Sequence, residues 1–494
     1  MIKVKAYYPI IVLLFYVVQA FLLLVGKPFV PVLIMTVWGT LILYSIYNFK
    51  QRMVLFVFGV TFFTFLLGRT VLVDIFPLFE QDPVFSDAVN NETNILLLIT
   101  LCTITISYAV FEHFDKYRIN RSYRVMFKSI RPDYENVKNT YKSVSKALFY
   151  VTFPFLIITA LGRVLYVFKF GYLQYYTSYE LQVPYIVKKI GDFAQIDLFV
   201  FLFCKPNKKE AKPLIFLYIF YLILSIGTGQ RFEFVCGLLM LFIYFILRNR
   251  QKSEVWLSKK QLVILIILFP VFLSFLSLIN DIRMNNTVTV NGLLKNFFDF
   301  YYDLGSSSNV LKYEILLGHR LSHKFYCFGT IITFFRENLI SRLFGANSYS
   351  GNTIDHALNG FSYTHAISYA GWGRYYLAGN GMGSCYIAEL FHAFSYGGVI
   401  VGNIIYGLLI DKLYRFKGES ILGNALFFYS LYNFLLAPRG PYDGFTNAIF
   451  NPTSLIAIGL IYFVSKYLIN RSAVNKQSKS RDNYKIKEKK LWNE

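Results

Sequence analysis

The sequence predicts an all-α fold, a polytopic transmembrane helix bundle of about twelve spans. Three observations predict it. Apolar runs near the roughly 20 residues that carry a helix across a bilayer recur almost end to end. Charged residues make up only 16% of the 494-residue chain, against about 25% in soluble domains, and hydrophobic residues make up 55%. The basic residues gather in short segments between the apolar runs.

The spans fall at 7–26, 29–48, 53–75, 93–111, 147–168, 187–204, 213–228, 232–248, 261–280, 384–410, 420–437 and 453–469. The first has no small-residue cleavage site and reads as a retained helix. The sixth starts among Lys188, Lys189 and Asp192. The tenth carries Gly397, Gly398, Gly402 and Gly407, small residues that let membrane helices pack closely. With the N-terminus inside, 34 of the 50 basic residues lie in inside segments and 14 in outside ones, while Arg69 and Arg163 lie within spans. Cytoplasmic loops carry the excess of Lys and Arg, so both termini are expected inside. Residues 325–335 are apolar but number only about 11 before Arg336 and Glu337. That is too short to cross, and the segment reads as an amphipathic helix on the outer surface. The organisation is a nine-span tract (1–280), a long extracytoplasmic loop (281–383), a three-span tract (384–470) and a basic tail (471–494).

The net charge of +22 does not point to nucleic acid, because the bases sit between apolar runs. They read as topology determinants and contacts for anionic membrane lipid. Cys102, Cys204, Cys236, Cys327 and Cys385 form no CxxC pair, which argues against a metal or redox framework. Cys327 and Cys385 both fall on the outer side, so one disulfide stays open to them.

The residues able to do chemistry converge on the outer side. A short turn, Gly227-Thr228-Gly229-Gln230-Arg231-Phe232-Glu233, puts Arg231 at the membrane surface. A charge there lines a wet cavity or is paired, and Glu233 is one partner within reach. Arg283 directly follows the ninth span. Phe297-Phe298-Asp299-Phe300-Tyr301-Tyr302-Asp303 is an aromatic patch with two carboxylates, suited to interfacial anchoring or to stacking on a sugar. His319, Arg320 and His323 cluster, and Asp355-His356 and His365 follow, but no HExxH pattern points to zinc. Five glycines in the 13 residues 371–383 surround Arg374 and lead into the tenth span, where Glu389 sits about one turn inside. A carboxylate there is a general base or the partner of an arginine. Arg439 lies in a rigid Pro438-Arg439-Gly440-Pro441 turn after the eleventh span. Several arginines at one membrane level suit an anionic ligand presented by the membrane, since guanidinium groups bind phosphate oxygens in forked pairs.

The Thr-Gly-Gln-Arg-Phe turn resembles the bacterial oligosaccharide repeat-unit polymerases of the Wzy type. So do the run Gly379-Asn380-Gly381-Met382-Gly383-Ser384-Cys385-Tyr386-Ile387-Ala388-Glu389, the following Phe394-Ser395-Tyr396-Gly397-Gly398-Val399, and the Pro-Arg-Gly turn. The resemblance runs from about residue 210 to 460, with topology alone supporting it earlier. Gln230 departs from the family's Gly-Ser-Arg or Gly-Gly-Arg turn, and Cys385 stands where a serine is usual. The resemblance implies a glycosyltransferase joining repeat units at the outer face of the bacterial cytoplasmic membrane into O-antigen, capsular or exopolysaccharide. An acceptor sugar hydroxyl would attack the anomeric carbon of an undecaprenyl-diphosphate-linked chain. Arg231, Arg283 and Arg439, then Arg374 and Arg320, would neutralise the departing diphosphate. Glu389, then His365, then Asp303 or His319, would take the proton. The scheme needs no cofactor and no metal. Its protein partners would be a chain-length regulator and a flippase of the same pathway. Two other readings are an O-antigen ligase, which uses the same donor, and a non-enzymatic flippase, which would use buried charges such as Arg69 and Arg163. The roughly 100-residue outside loop favours the enzyme.

Overall fold

The structure, a computed structural model, describes residues 2–122, 134–172, 174–177, 182–229, 231–250, 254–285, 292–337, 341, 344–345, 347–415 and 420–491. Among these there is no strand. Each of the twelve predicted spans falls on helix. Among the described residues, eight helices are long and apolar enough to cross a membrane: Tyr7–Leu24, Phe29–Tyr47, Phe49–Ile75, Asp87–Phe114, Tyr134–Phe170, Lys259–Leu276, Tyr386–Lys412 and Tyr442–Ser472. The seventh, eighth and eleventh spans are the helices Lys208–Ile226, Arg231–Arg250 and Ile421–Leu435.

The sixth span is not one continuous helix. Tyr185–Gly191 and Ala194–Phe203 meet at a break around Asp192 and Phe193. Ten residues of helix reach about 15 Å, half the hydrocarbon thickness. The second piece survives because it is enclosed: Ile196, Leu198, Val200 and Leu202 are all buried. A helix apolar all round belongs in the middle of a bundle. Asp197 is buried with them and accepts a hydrogen bond from the Thr152 hydroxyl at 3.0 Å.

The tenth span packs lengthwise on the fourth, as its glycines predict. A methyl group on Gly407 would stand 2.0 Å from Ser107 Oγ. Asn403 is buried in the same seam, its amide reaching Thr100 Oγ1 at 3.5 Å. The tenth span is kinked: Ser395 has φ +54°, which breaks it into two helical arms. Gly398 lies in the elbow, where a methyl group would come 2.6 Å from the Leu390 carbonyl oxygen. The ninth span has the opposite character. Ile264 to Phe269 are all exposed, a surface suited to lipid.

The helices of the long loop pack back onto the bundle. The aromatic patch forms a helix, Leu293–Leu304, followed by a second, Ser307–Leu317. The predicted short amphipathic segment is a 3-10 turn, Tyr326–Phe328, and an eight-residue helix, Gly329–Arg336. Cys327 and Cys385 are buried and unbridged.

Candidate functional site

The site is built around the second half of the third span. There the α-helix gives way to a π-helical turn at Phe63–Leu67, resumes over Gly68–Thr70, and widens again at Val71–Ile75. Such π-turns are rare and occur often at functional sites. They flank Arg69. The aromatic helix lies against this stretch at very short range. A methyl group on Gly305 would stand 2.6 Å from the Arg69 backbone nitrogen, and one on Gly68 would stand 3.1 Å from the Tyr301 carbonyl oxygen. Two glycines thus allow backbone to meet backbone. The close approach brings Tyr302 to Arg69. The guanidinium donates to the Tyr302 hydroxyl at 2.9 Å and lies 4.2 Å from its ring centre. Phe79 is stacked on Tyr302 at 4.3 Å.

Beside this pair is a small polar recess with about 20 Å³ of space, room for a water or two. Arg69, Asp74, Gln81, Asp82, Asn90, Asn94, Ser308 and Lys312 are among the residues that line it. Burial lowers the Lys312 ammonium to about 8, opposed by the charge of Asp74. The amine therefore remains a charged donor at neutral pH.

Arg439 reaches the same helix from another direction. It ends the 3-10 turn Ala437–Arg439, is exposed, and lies 5.8 Å over the ring of Phe65, in the first π-turn. Its turn is held from three sides. Glu389, only 1% exposed, accepts the Tyr442 backbone N–H at 2.8 Å and the Ser384 hydroxyl at 2.6 Å. Asp443 accepts the Ile331 N–H at 3.0 Å, tying the turn to the short amphipathic helix. Tyr406 is stacked between Tyr386 and Tyr442, and its hydroxyl donates to the Tyr442 carbonyl at 2.6 Å. Glu389 is thus enclosed and occupied on both oxygens, the geometry of a brace.

His365 stands in a different cluster. Its ring stacks on His356 at 3.6 Å and its Nδ1 meets the Tyr376 hydroxyl at 2.8 Å. Burial first, and the neighbouring His356 second, lower it to about 4. Asp303 lies half-buried on the aromatic helix next to Tyr302. His319 and Arg320 are exposed in a 3-10 turn, and Arg374 is exposed after Gly373. Arg231 opens the eighth-span helix and Arg283 lies in the last turn of the ninth, but both side chains lie outside the described residues.

Two groups escaped the sequence reading. Arg69 was legible only as a buried charge, and Lys312 carried no signal. The second group joins Tyr363, Glu314 and His392: the carboxylate accepts the Tyr363 hydroxyl at 2.7 Å and meets His392 Nδ1 at 2.9 Å. His392 lies one turn beyond Glu389 in the tenth span, yet Glu314, its partner, is 78 residues away.

A family model described as O-antigen polysaccharide polymerase Wzy matches residues 6–472, nearly the whole chain. No curated protein and no solved structure matches. The match extends through the first six spans, where motifs are scarce, and includes the third span with its π-turns. On that coverage the chain belongs to the Wzy family of O-antigen polysaccharide polymerases.

Proposed function

We propose that the protein polymerises oligosaccharide repeat units carried on a lipid diphosphate, at the outer face of the bacterial cytoplasmic membrane, with both termini inside. An acceptor sugar hydroxyl oxygen bonds to the donor anomeric carbon. The bond from that carbon to the phosphate oxygen breaks, and the lipid diphosphate leaves with the electron pair. The hydroxyl proton passes to a base. The observation that carries this reading is the exposed Arg439, set on a triply braced turn at the π-helical end of the third span. A preorganised cation where charge develops can contribute on the order of 3 kcal/mol. Arg231 and Arg283, near the outer ends of their helices, are assigned the same task, with Arg374 and Arg320 in support. A chain-length regulator and a flippase remain the expected partners.

The role of base goes to Asp303. Its half-buried carboxylate adjoins Tyr302 on the aromatic helix. Glu389 is a positioning residue in this reading, because both oxygens already serve the turn. His365, shifted down to about 4, is too weak a base near neutral pH to be preferred.

The test is complementation of a strain lacking this chain, each variant first shown at normal level in the membrane. Wild type restores a ladder of long glycans. Arg439→Ala and Asp303→Asn leave single repeats. Glu389→Gln, whose amide oxygen can accept the Tyr442 N–H while its NH2 donates to the Ser384 hydroxyl, keeps most of the ladder, and Glu389→Ala loses it. Loss of the ladder in Glu389→Gln with Asp303→Asn active would return the base to Glu389. A strain with no surface glycan at all, not even a single repeat, would replace the polymerase reading with a ligase or a flippase.

A further inference from the structure

The short amphipathic helix Gly329–Arg336 has so far only been tied to the Arg439 turn, through Asp443. It begins pinned to another part of the loop. A methyl group on Gly329 would stand 2.3 Å from the Phe361 carbonyl oxygen, an approach that glycine permits. It ends over the ring of the same residue. Arg336 Cζ lies 5.0 Å from the centre of Phe361, and Lys324 Nζ lies 5.2 Å from it. Two cations therefore share one aromatic ring. Lys324 also donates to the Leu358 and Gly360 carbonyls, at 2.7 and 3.2 Å. Arg336 is exposed and makes no hydrogen bond or salt bridge among the described residues. The adjoining Glu337 accepts the Tyr349 backbone N–H at 3.3 Å. Burial first, and the charge of Arg336 second, lower the Lys324 ammonium from its ordinary value. The two cations repel each other, and no carboxylate among the described residues is paired with either.

The same helix stands at the rim of a surface suited to lipid. Phe334 and Phe335 pack on Phe450, at 5.5 and 5.9 Å between ring centres. Phe450 comes just before the last helix, which starts at Pro452 and whose Leu455 and Ile456 are 47% and 57% exposed. Phe335 is itself 58% exposed, so the apolar face of the short helix continues the apolar face of the span. Rings at the start of a span with cations beside them are the pattern of a segment lying at headgroup depth. A guanidinium at that depth meets phosphate oxygens, which it binds in forked pairs.

We infer that Lys324 and Arg336 form a binding site for the phosphate of an anionic phospholipid headgroup in the outer leaflet. The inference stands whether or not the polymerase reading does. The lipid diphosphate that carries a glycan offers the same phosphate chemistry, and the test separates the two. A headgroup held here would steady the helix whose Ile331 N–H is bonded to Asp443, and with it the turn that carries Arg439.

The test titrates the full-length protein in neutral detergent with phosphatidylglycerol, and native mass spectrometry counts the lipids retained. Wild type retains phosphatidylglycerol in preference to phosphatidylcholine. Lys324→Met and Arg336→Met each weaken retention by about fivefold, and the double variant by about thirtyfold, the effect of one and two basic groups at a membrane surface. Arg336→Lys, which keeps the charge, keeps most of the binding and guards against a folding defect in the others. Lys295→Met removes an exposed cation from the aromatic helix and leaves retention unchanged. Undecaprenyl diphosphate at equal concentration does not displace the phospholipid. Hydrogen exchange at the Ile331 amide slows when phosphatidylglycerol is added to wild type and not to the double variant. Unchanged retention in the double variant overturns the inference. So does an equal loss in Lys295→Met, which would make the attraction a diffuse one. Displacement by undecaprenyl diphosphate overturns it too, and would give the cation pair to the glycan carrier.

Discussion

The third span carries an arginine at each end, and the two are used in opposite ways. At the N-terminal end Arg52 is 7% exposed and closed on itself. Its guanidinium meets Glu112 at 2.9 Å, donates to the Tyr44 carbonyl at 2.7 Å and lies 3.5 Å over the Tyr44 ring. The Tyr44 hydroxyl donates to the same Glu112. At the C-terminal end Arg69 forms no salt bridge among the described residues. It holds a tyrosine and borders a small polar recess. One arginine is matched by a carboxylate and has no face left for a ligand. The other is matched by a neutral ring and keeps its charge available. A charge in a membrane segment therefore does not by itself mark a site; what its partners leave unused does.

The contrast can be broken by mutation. The largest effect is expected for Arg52→Ala, which strands the buried Glu112 carboxylate. Removing one partner of a buried pair costs about 3–5 kcal/mol, read as lower membrane level and a lower Tm in detergent. Arg52→Met with Glu112→Leu should recover most of that loss. Arg69→Ala comes next and should behave in the opposite way. Its Tm stays near wild type, while polymer output falls by roughly tenfold to a hundredfold, the loss of a charged hydrogen-bonding group. A Tm loss equal to that of Arg52→Ala would abolish the distinction between the two ends.

Gly305→Ala sharpens the comparison. Its new methyl group would press on the Arg69 backbone nitrogen at 2.6 Å and on the Tyr301 carbonyl oxygen at 2.7 Å. Overpacking of this kind costs about 1–3 kcal/mol and should lower ladder length and Tm together. The smallest effect is expected from pH. His365 titrates near 4 in the folded protein, below its ordinary 6.5. Between those values the unfolded chain binds more protons than the folded one, so stability rises with pH across the window and is lost as pH falls from 6.5 through 4. His365→Asn should flatten that part of a Tm-against-pH curve and leave the rest unchanged.

Much of the fold was legible because a bilayer imposes a simple rule on apolar length. All twelve predicted segments are helical, and the glycines of the tenth span do mark its tight seam with the fourth. The breaks at Asp192 and Ser395 were not legible, since hydropathy records how apolar a run is and not whether its backbone is continuous. The site was legible only in part. Arg439 and Glu389 stood out through their local turns. Their link, a carboxylate bracing the backbone 53 residues away, depends on packing. Arg69 and Tyr302 are 233 residues apart and meet only because two glycines let their helices touch. No motif scan along one stretch of chain finds such a pair.

The π-turns of the third span have a consequence for how this helix tolerates change in length. A π-turn amounts to one residue inserted into an α-helix. The span has 27 residues, more than the roughly 20 a crossing needs. Deleting one residue within Phe63–Leu67 would leave it long enough to cross while letting the turn relax to α geometry. Each residue of an α-helix advances the phase by about 100°. Because the π-turn already absorbs one extra residue, the relaxed helix would keep Arg69 facing Tyr302, whereas a deletion in the regular α-helical stretch before Phe63 would swing it by about that angle.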